Sequence, residues 1–334
     1  MATRIGINGL GRIGRLTLRG LIGSPHFEVV AVNDIATTEQ LAYLLRHDSV
    51  YGSAGEQVAA KEDRLHWGDR QIRCFQEDNP ANLPWGELGV EIVIEATGVF
   101  RDRAGASRHL EAGARRVIIT APGKEPDLTV CMGVNHGDYD PGRHAVLSNA
   151  SCTTNCLAPV ARVLDEAFGI ESGFLTTVHA VTGGQTLVDQ PHKKPRRGRS
   201  ALANIVPTTT GAAQATAEVL PRLAGRMDGV AVRVPVVDGS LVDFVCRTEQ
   251  PISVDAVNER FRAAADGELY GILGTSDDEL VSSDIVGSGY SALVDLPCTM
   301  AIGTHTLKVL AWYDNEWGYA RRVVDLAELV GANA

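Results

Sequence analysis

A chain of 334 residues is too long for one small core and suits two domains. Its 44% hydrophobic and 22% charged residues are an ordinary globular balance that excludes dominant disorder, and its formal charge of −10 opposes general nucleic-acid binding, because phosphates would be repelled. No apolar run approaches the ~20 residues that span a bilayer, and Met1-Ala2-Thr3-Arg4-Ile5 leads into a strand pattern without a charged-then-apolar leader, so a soluble intracellular protein with no membrane partner is expected.

In chain order, residues 4–8 read as a short strand and 12–21 as a helix. Residues 27–33 (FEVVAVN) form an apolar, β-branched strand, and 38–45 a helix with Thr37 or Thr38 as N-cap. Strand patterns return at 90–96, 116–120 and 145–148, with a helix at 104–112 ended by Gly113. Buried strands alternating with helices predict a parallel, doubly wound α/β sheet. After Ala150 the pattern changes. A helix at 153–168 stops at Gly169, and longer strand-like segments follow at 173–181, 230–237, 240–248, 292–296 and 307–313. With few intervening helices, these predict a second, α+β domain with a mostly antiparallel or mixed sheet. Residues 182–199, rich in Gly, Lys, Arg and Pro, are too polar for a core element, while 212–220 and 319–330 read as helices.

Gly9-x-Gly11-x-x-Gly14 follows the first strand and opens the first helix. The first glycine permits a tight turn, the second lets a pyrophosphate approach the backbone, and the third lets the helix pack closely. Asp34 ends the next strand about twenty residues on, where a carboxylate accepts hydrogen bonds from a ribose diol. The combination predicts dinucleotide binding, and the acid favours NAD over NADP because a 2′-phosphate would meet a negative charge.

Six cysteines, at positions 74, 131, 152, 156, 246 and 298, form no CxxC pair, and no metal site is expected. Cys152 stands at a strand-to-helix junction, in Ser148-Asn149-Ala150-Ser151-Cys152-Thr153-Thr154-Asn155-Cys156. A helix N-terminus stabilises a thiolate. Position alone leaves Cys152 open between a nucleophile and a buried thiol, and it favours a packed thiol for Cys156.

Three segments then give the chain a family likeness: the motif around Cys152, Thr176-Thr177-Val178-His179-Ala180, and Pro207-Thr208-Thr209-Thr210-Gly211-Ala212-Ala213. With them the chain closely resembles the phosphorylating glyceraldehyde-3-phosphate dehydrogenases, from the Gly9 loop to Trp312-Tyr313-Asp314-Asn315-Glu316-Trp317-Gly318-Tyr319. The resemblance implies a Rossmann NAD-binding domain at 1–150 with 315–334 and a catalytic domain at 151–314. It implies Cys152 as nucleophile and His179 as base, with an imidazole near Cys152 lowering the thiol pKa. Thr182 and Arg233 would hold one phosphate, and Ser151, Thr153, Arg197, Thr210 and Gly211 the other, one anion being the substrate's and the other inorganic phosphate. Lys193, Lys194, Arg196, Arg197 and Arg199 supply local positive charge to an acidic chain. Implied cofactor contacts are Gly9, Gly11, Arg12, Ile13 and Gly14 at the pyrophosphate loop, Asn33, Asp34 and Asp78 at the adenosine, Thr97 and Thr120 nearby, and Asn315 at the nicotinamide amide.

The implied reaction is oxidation of D-glyceraldehyde 3-phosphate with inorganic phosphate, in a cytoplasmic homotetramer whose 182–199 loop lies at a subunit interface. A close rival is erythrose-4-phosphate dehydrogenase, which tends to lack the full phosphate constellation that is complete here. Intact Cys152 and His179 oppose an idle NAD-binding scaffold, and a thiol hydrolase leaves the glycine loop unexplained. The chain departs from the common family pattern at Gln76–Asn79, where an arginine is missing, at Val181 and Gly183-Gly184, and at Val237-Asp238-Gly239-Ser240.

Overall fold

The structure, a computed structural model, describes residues 2–55 and 57–333. The chain forms two units. The first runs to Val130 and adds His136–Ala150 and the segment from Ala320; the second comprises Cys131–Asn135 and Ser151–Tyr319.

In the first unit β1 (Thr3–Asn8) leads into α1 (Arg12–Ile22), β2 (Phe27–Asn33) and α2 (Thr38–Arg46). Thr37 is the N-cap of α2 and completes a capping box with Gln40. A hairpin ribbon follows: β3 (Val58–Lys61), β4 (Arg64–Trp67) and β5 (Arg70–Phe75). The sequence pattern missed it because these strands are short and interrupted by polar and charged residues. Next come β6 (Ile92–Glu95), α3 (Arg103–Glu111), β7 (Arg116–Ile119), β8 (Leu128–Thr129) and β9 (Val146–Ser148). The sheet order is β3-β4-β5-β2-β1-β6-β7-β9-β8. All pairings from β5 to β8 are parallel, as expected, and only the β3–β5 ribbon is antiparallel. From β1 the chain moves outward to β2 on one side and later fills β6 on the other. The β1/β6 gap is therefore the topological switch point, where such sheets bind ligands beyond the strands' carboxyl ends.

Asp127 ties two segments of this unit together. Its Oδ2 accepts from the amides of Ala145 and Val146, each 2.8 Å away, and its Oδ1 from Arg103 Nε at 2.7 Å. Burial alone would raise its pKa, but the Val146 amide, Arg103 and the Ala145 amide outweigh burial and hold it below the usual carboxylate value. A depressed folded pKa adds stability above the unfolded value near 3.9 that disappears as pH falls through the folded one. Asp127→Asn is therefore expected to cost about 1–3 kcal/mol at pH 7. Urea unfolding at pH 7 and pH 3 checks this, with the gap between variant and wild type narrowing at the lower pH.

The second unit opens with α4 (Cys152–Phe168) and β10 (Ile170–His179), followed by β11 (Val206–Thr209), α5 (Ala212–Val219), β12 (Met227–Arg233) and β13 (Ser240–Thr248). Then come α6 (Val254–Asp266), β14 (Leu273–Ser276), α7 (Ser282–Ile285), β15 (Ala292–Ile302) and β16 (Thr306–Tyr313); the last helix, α8 (Trp317–Ala332), belongs to the first unit from Ala320 on. The sheet, β11-β12-β10-β13-β16-β15-β14, is mixed as expected: β10–β12 and β14–β15 are parallel, the other pairs antiparallel. One apolar side of α4 packs on it through Leu157, Val160 and Leu164, against Leu175, Phe244 and Val309. Several expectations change, and the short elements β11, β14 and α7 were not anticipated. The strand expected at 230–237 runs from Met227 to Arg233, β15 continues six residues past Leu296 to Ile302, and α6 was not expected at all. No helix among the described residues is long and apolar enough to cross a membrane.

Candidate active site

In the first unit a cavity of about 380 Å³ opens at the switch point. It brings together Gly9, Gly11, Asn33, Asp34, Asp78 and Thr97 of the sequence-derived cofactor set. Gly9 has φ +95, and a Cβ there would stand 2.6 Å from Thr97 N, so only glycine fits. A Cβ on Gly14 would lie 1.9 Å from Gly9 O, whereas one on Gly11 meets nothing within 4 Å. The loop is thus sterically fixed at its ends and open in the middle. Gly11 is the N-cap of α1 and gives it no side-chain cap, and the first turn holds no acidic residue, which leaves amide donors for an anion. Asp34 holds the loop, its Oδ2 accepting from Leu10 N at 2.6 Å and its Oδ1 from Ala36 N at 3.0 Å.

Arg12, Ile13, Gly14 and Thr120 do not line this cavity. Arg12 pairs with Asp48 at 2.5 Å, and Thr120 donates to Glu95 O through its amide at 2.9 Å. Asn8 and Glu77 do line it, although the sequence reading passed over them. The signal for Asn8 was available: a polar residue ending a buried strand directly before the glycine loop.

The second unit holds the other candidates. Ser151 is the N-cap of α4, its Oγ accepting from Thr154 N at 3.0 Å, so Cys152 is the first helical residue. Ala150, the residue before the N-cap, has φ +54, a conformation unfavourable for a side chain with a Cβ by roughly 1–2 kcal/mol. Sequence pattern gave no sign of it. Cys152 Sγ lies 3.5 Å from His179 Nε2 at the end of β10. In the parallel β10–β12 ladder His179 pairs with Arg233, which places both side chains on one face. Arg233 Nη1 lies 2.5 Å from His179 Nδ1 and donates to Ala180 O at 3.0 Å. Nδ1 also lies 2.7 Å from Ala180 O. One ring nitrogen cannot both donate to that carbonyl and accept from Arg233. The tautomer with its proton on Nδ1, given to Ala180 O, leaves the Nε2 lone pair for Cys152.

Burial, and then Arg233, push the His179 imidazole down to about 3. Burial pushes the Cys152 thiol up, and the largest opposing influence is the Arg233 charge. The charge that favours the thiolate is that of Arg233, while His179 stands beside the sulfur as a hydrogen-bond partner. Cys156 is buried, its thiol is pushed well up by burial, and its Sγ contacts Ala311 O at 3.7 Å. The reading of a packed thiol fits that environment.

Tyr313 was not singled out beforehand. Its hydroxyl meets Thr153 Oγ1 at 2.9 Å and Thr177 Oγ1 at 2.8 Å, so it ties the first turn of α4 to β10. Thr153 is buried, with its hydroxyl engaged there. Arg197 donates from Nε to Thr208 Oγ1 at 2.9 Å and from Nη2 to Thr209 O at 3.3 Å, which brings it to the segment bearing Thr210 and Gly211. Gly211 caps α5 without a side-chain bond. Thr182 is exposed in a turn closed by Gln185 N to Thr182 O at 3.0 Å. Asn315 Oδ1 accepts from Ser240 Oγ at 2.5 Å, and Ser240 Oγ accepts from Ala180 N at 3.1 Å. This chain fixes the Asn315 amide and leaves its Nδ2 to donate elsewhere.

Comparison with known proteins agrees with this chemistry. Residues 3–103 match the family model described as glyceraldehyde 3-phosphate dehydrogenase, NAD binding domain, and residues 151–315 match that of the C-terminal domain. The chain is 50% identical over 332 residues to glyceraldehyde-3-phosphate dehydrogenase 2 of Streptomyces avermitilis, covering 99% of each chain. It is 51% identical over 332 residues to glyceraldehyde-3-phosphate dehydrogenase of Geobacillus stearothermophilus, again covering 99% of each. It is 52% identical to glyceraldehyde-3-phosphate dehydrogenase 1 of Streptomyces arenae over 334 residues, the full length of both.

Proposed function

Because the chain belongs to the glyceraldehyde-3-phosphate dehydrogenase family, we propose that it catalyses the NAD-dependent, phosphorylating oxidation of D-glyceraldehyde 3-phosphate to 1,3-bisphosphoglycerate through a thioester on Cys152. The observation that carries the reading is Cys152 Sγ at a helix N-terminus, 3.5 Å from His179 Nε2, with Arg233 against the same imidazole.

The residues fit the cofactor. Gly9, Gly11 and the uncapped start of α1 suit a pyrophosphate, Asp34 and Asn33 an adenosine ribose, and Asn315 a carboxamide. When bound, NAD supplies the hydride acceptor. Cys152 Sγ adds to the aldehyde carbon to give a thiohemiacetal. His179 Nε2 takes the hydroxyl proton as the carbon is oxidised, and the Cys152 amide with His179 steadies the oxyanion. The thioester conserves the energy of oxidation until phosphate displaces Cys152. Thr182 and Arg233 are assigned to one anion, and Ser151, Thr153, Arg197, Thr210 and Gly211 to the other. Buried Arg233 Nε has no protein partner among the described residues, which supports an anion there.

If Arg197 holds the attacking phosphate, Arg197→Ala raises the KM for phosphate by about ten- to a hundredfold, the range for losing a charged contact, and spares single-turnover hydride transfer. Steady-state and stopped-flow kinetics check both; a lost burst with an unchanged phosphate KM contradicts the assignment. A cytoplasmic homotetramer completes the proposal, supported by exposed Leu187, Val188, Leu202 and Ile205 in and beside the basic loop.

The test is NADH formation with D-glyceraldehyde 3-phosphate and with D-erythrose 4-phosphate, each with and without inorganic phosphate. Phosphate-dependent turnover, with the higher kcat/KM for the triose, is expected. A higher kcat/KM for the tetrose, or turnover indifferent to phosphate, overturns the reading.

A further inference from the structure

A buried polar cluster beneath the cofactor cavity centres on Glu95, at the end of β6. Glu95 and His109 are 1% and 0% exposed, which is costly for such groups unless every polar atom is engaged. Glu95 Oε1 accepts from Thr97 N at 2.9 Å and from Thr97 Oγ1. Its Oε2 accepts from Asn8 Nδ2 at 2.6 Å and meets His109 Nε2 at 3.0 Å. The roles on the imidazole are fixed by Trp85, whose indole N–H, a donor only, points at His109 Nδ1 from 3.0 Å. Nδ1 is therefore the acceptor, and Nε2 carries the proton that goes to Glu95.

The cluster reaches the cavity wall by two routes. Thr97 Oγ1 accepts from Val99 N at 3.0 Å, so the hydroxyl that donates to Glu95 also shapes the 97–99 turn. Asn8 Oδ1 accepts from Asn33 Nδ2 at 2.7 Å, and Asn33 Oδ1 accepts from Glu77 N at 2.9 Å. Asn8, Asn33, Glu77, Thr97 and Val99 all line the cavity, whereas Glu95, His109 and Trp85 do not. One carboxylate thus joins the loops that leave β1, β2 and β6.

We propose that Glu95 is a positioning residue for the dinucleotide: its four hydrogen bonds hold the ends of β1 and β6 in the arrangement that binds NAD, without touching the ligand. This rests on the reading that the Gly9 cavity holds NAD. A group one layer behind a ligand acts by fixing the groups that touch it. Glu95→Gln keeps the shape but places an amide donor either against Asn8 Nδ2 and the His109 N–H or, turned over, against Thr97 N, so the wall must rearrange. Thr97→Val removes the hydroxyl's two bonds, the one it gives to Glu95 and the one it accepts from Val99 N, and leaves the other three bonds of Glu95 in place.

The experiment measures NAD dissociation constants by calorimetry without substrate, Tm, and steady-state constants. Glu95→Gln is expected to weaken NAD binding by about tenfold or more, and Thr97→Val by about threefold or more, as a displaced supporting contact does. For Glu95→Gln, which does not touch the cavity, kcat at saturating NAD and the KM for glyceraldehyde 3-phosphate stay within about threefold, since those depend on Cys152, His179 and the phosphate residues. Trp85→Phe, which loosens the back of the cluster, is expected to lower Tm while keeping NAD affinity within about threefold. If Glu95→Gln does not fold, Thr97→Val carries the test. Wild-type NAD affinity in both folded variants, or in Thr97→Val when it alone folds, overturns the proposal. So does equal loss of affinity in Trp85→Phe, which makes the effect general loosening. Gly9→Ala separates the underlying reading: wild-type NAD binding there overturns the cavity assignment itself, whereas its loss there alone overturns only the role of Glu95.

Discussion

Cys152→Ser is expected to lower phosphorylating kcat by on the order of 10⁴-fold or more, while the NAD dissociation constant stays within about threefold of wild type. The hydroxyl occupies nearly the same place at the start of α4 and keeps His179 and Arg233 as neighbours. It cannot form an anion that those neighbours stabilise to a useful degree, because an alkoxide is far harder to form than a thiolate. Cys156 cannot substitute, since it is fully buried and its thiol is pushed well above its usual value. Steady-state turnover with calorimetric NAD titration separates chemistry from binding. A variant that keeps most of its turnover makes Cys152 a packed thiol and ends the thioester mechanism.

His179→Asn has the second large effect, a fall of ~10²–10⁴-fold in the hydride-transfer rate, the range for losing a positioned base. Arg233 remains in this variant, and it is the largest charge favouring the thiolate. Alkylation of Cys152 by iodoacetamide should therefore slow much less than hydride transfer. Stopped-flow absorbance and timed alkylation with peptide mapping give the two rates. If both fall together, His179 acts mainly on the thiol, and its assignment as the base for the hydroxyl proton is wrong.

The parts of the fold that followed from sequence are those where burial imposes a pattern. Strands β1, β2, β6 and β7 are buried on both faces and read as apolar runs, and their alternation with α1, α2 and α3 made the parallel sheet legible. Exposed elements were not legible. Helix α6 buries only Val257, Phe261 and Ala264 of its thirteen residues, so its apolar stripe is thin. Strand β11 contains Pro207 and survives because it is an edge strand, where a missing N–H costs nothing. Strand β15 shifts register between Asp295 and Met300, so its second half lost the alternation that marked its first.

The site divides in the same way. Residues whose backbone role is local, such as Gly9 and Gly14, could be placed from spacing, because a turn is a property of a few adjacent residues. Arg233 beside His179 depends on a parallel register between strands 54 positions apart, which spacing cannot give; only the family resemblance pointed to it. Tyr313, Ser240 and Glu95 escaped for the same reason. Each is an ordinary polar residue until the sheet brings its partners within 3 Å.

The proposed reaction puts a covalent acyl group on Cys152 between oxidation and phosphate attack. A single turnover with D-glyceraldehyde 3-phosphate and excess NAD, run without phosphate, quenched in acid and followed by peptide mass analysis, addresses it directly. NADH equal to the number of sites is expected, with the substrate's acyl group on the Cys152 peptide and lost on adding phosphate. NADH formed in that amount with Cys152 unmodified, or with the acyl group on another residue, would contradict it.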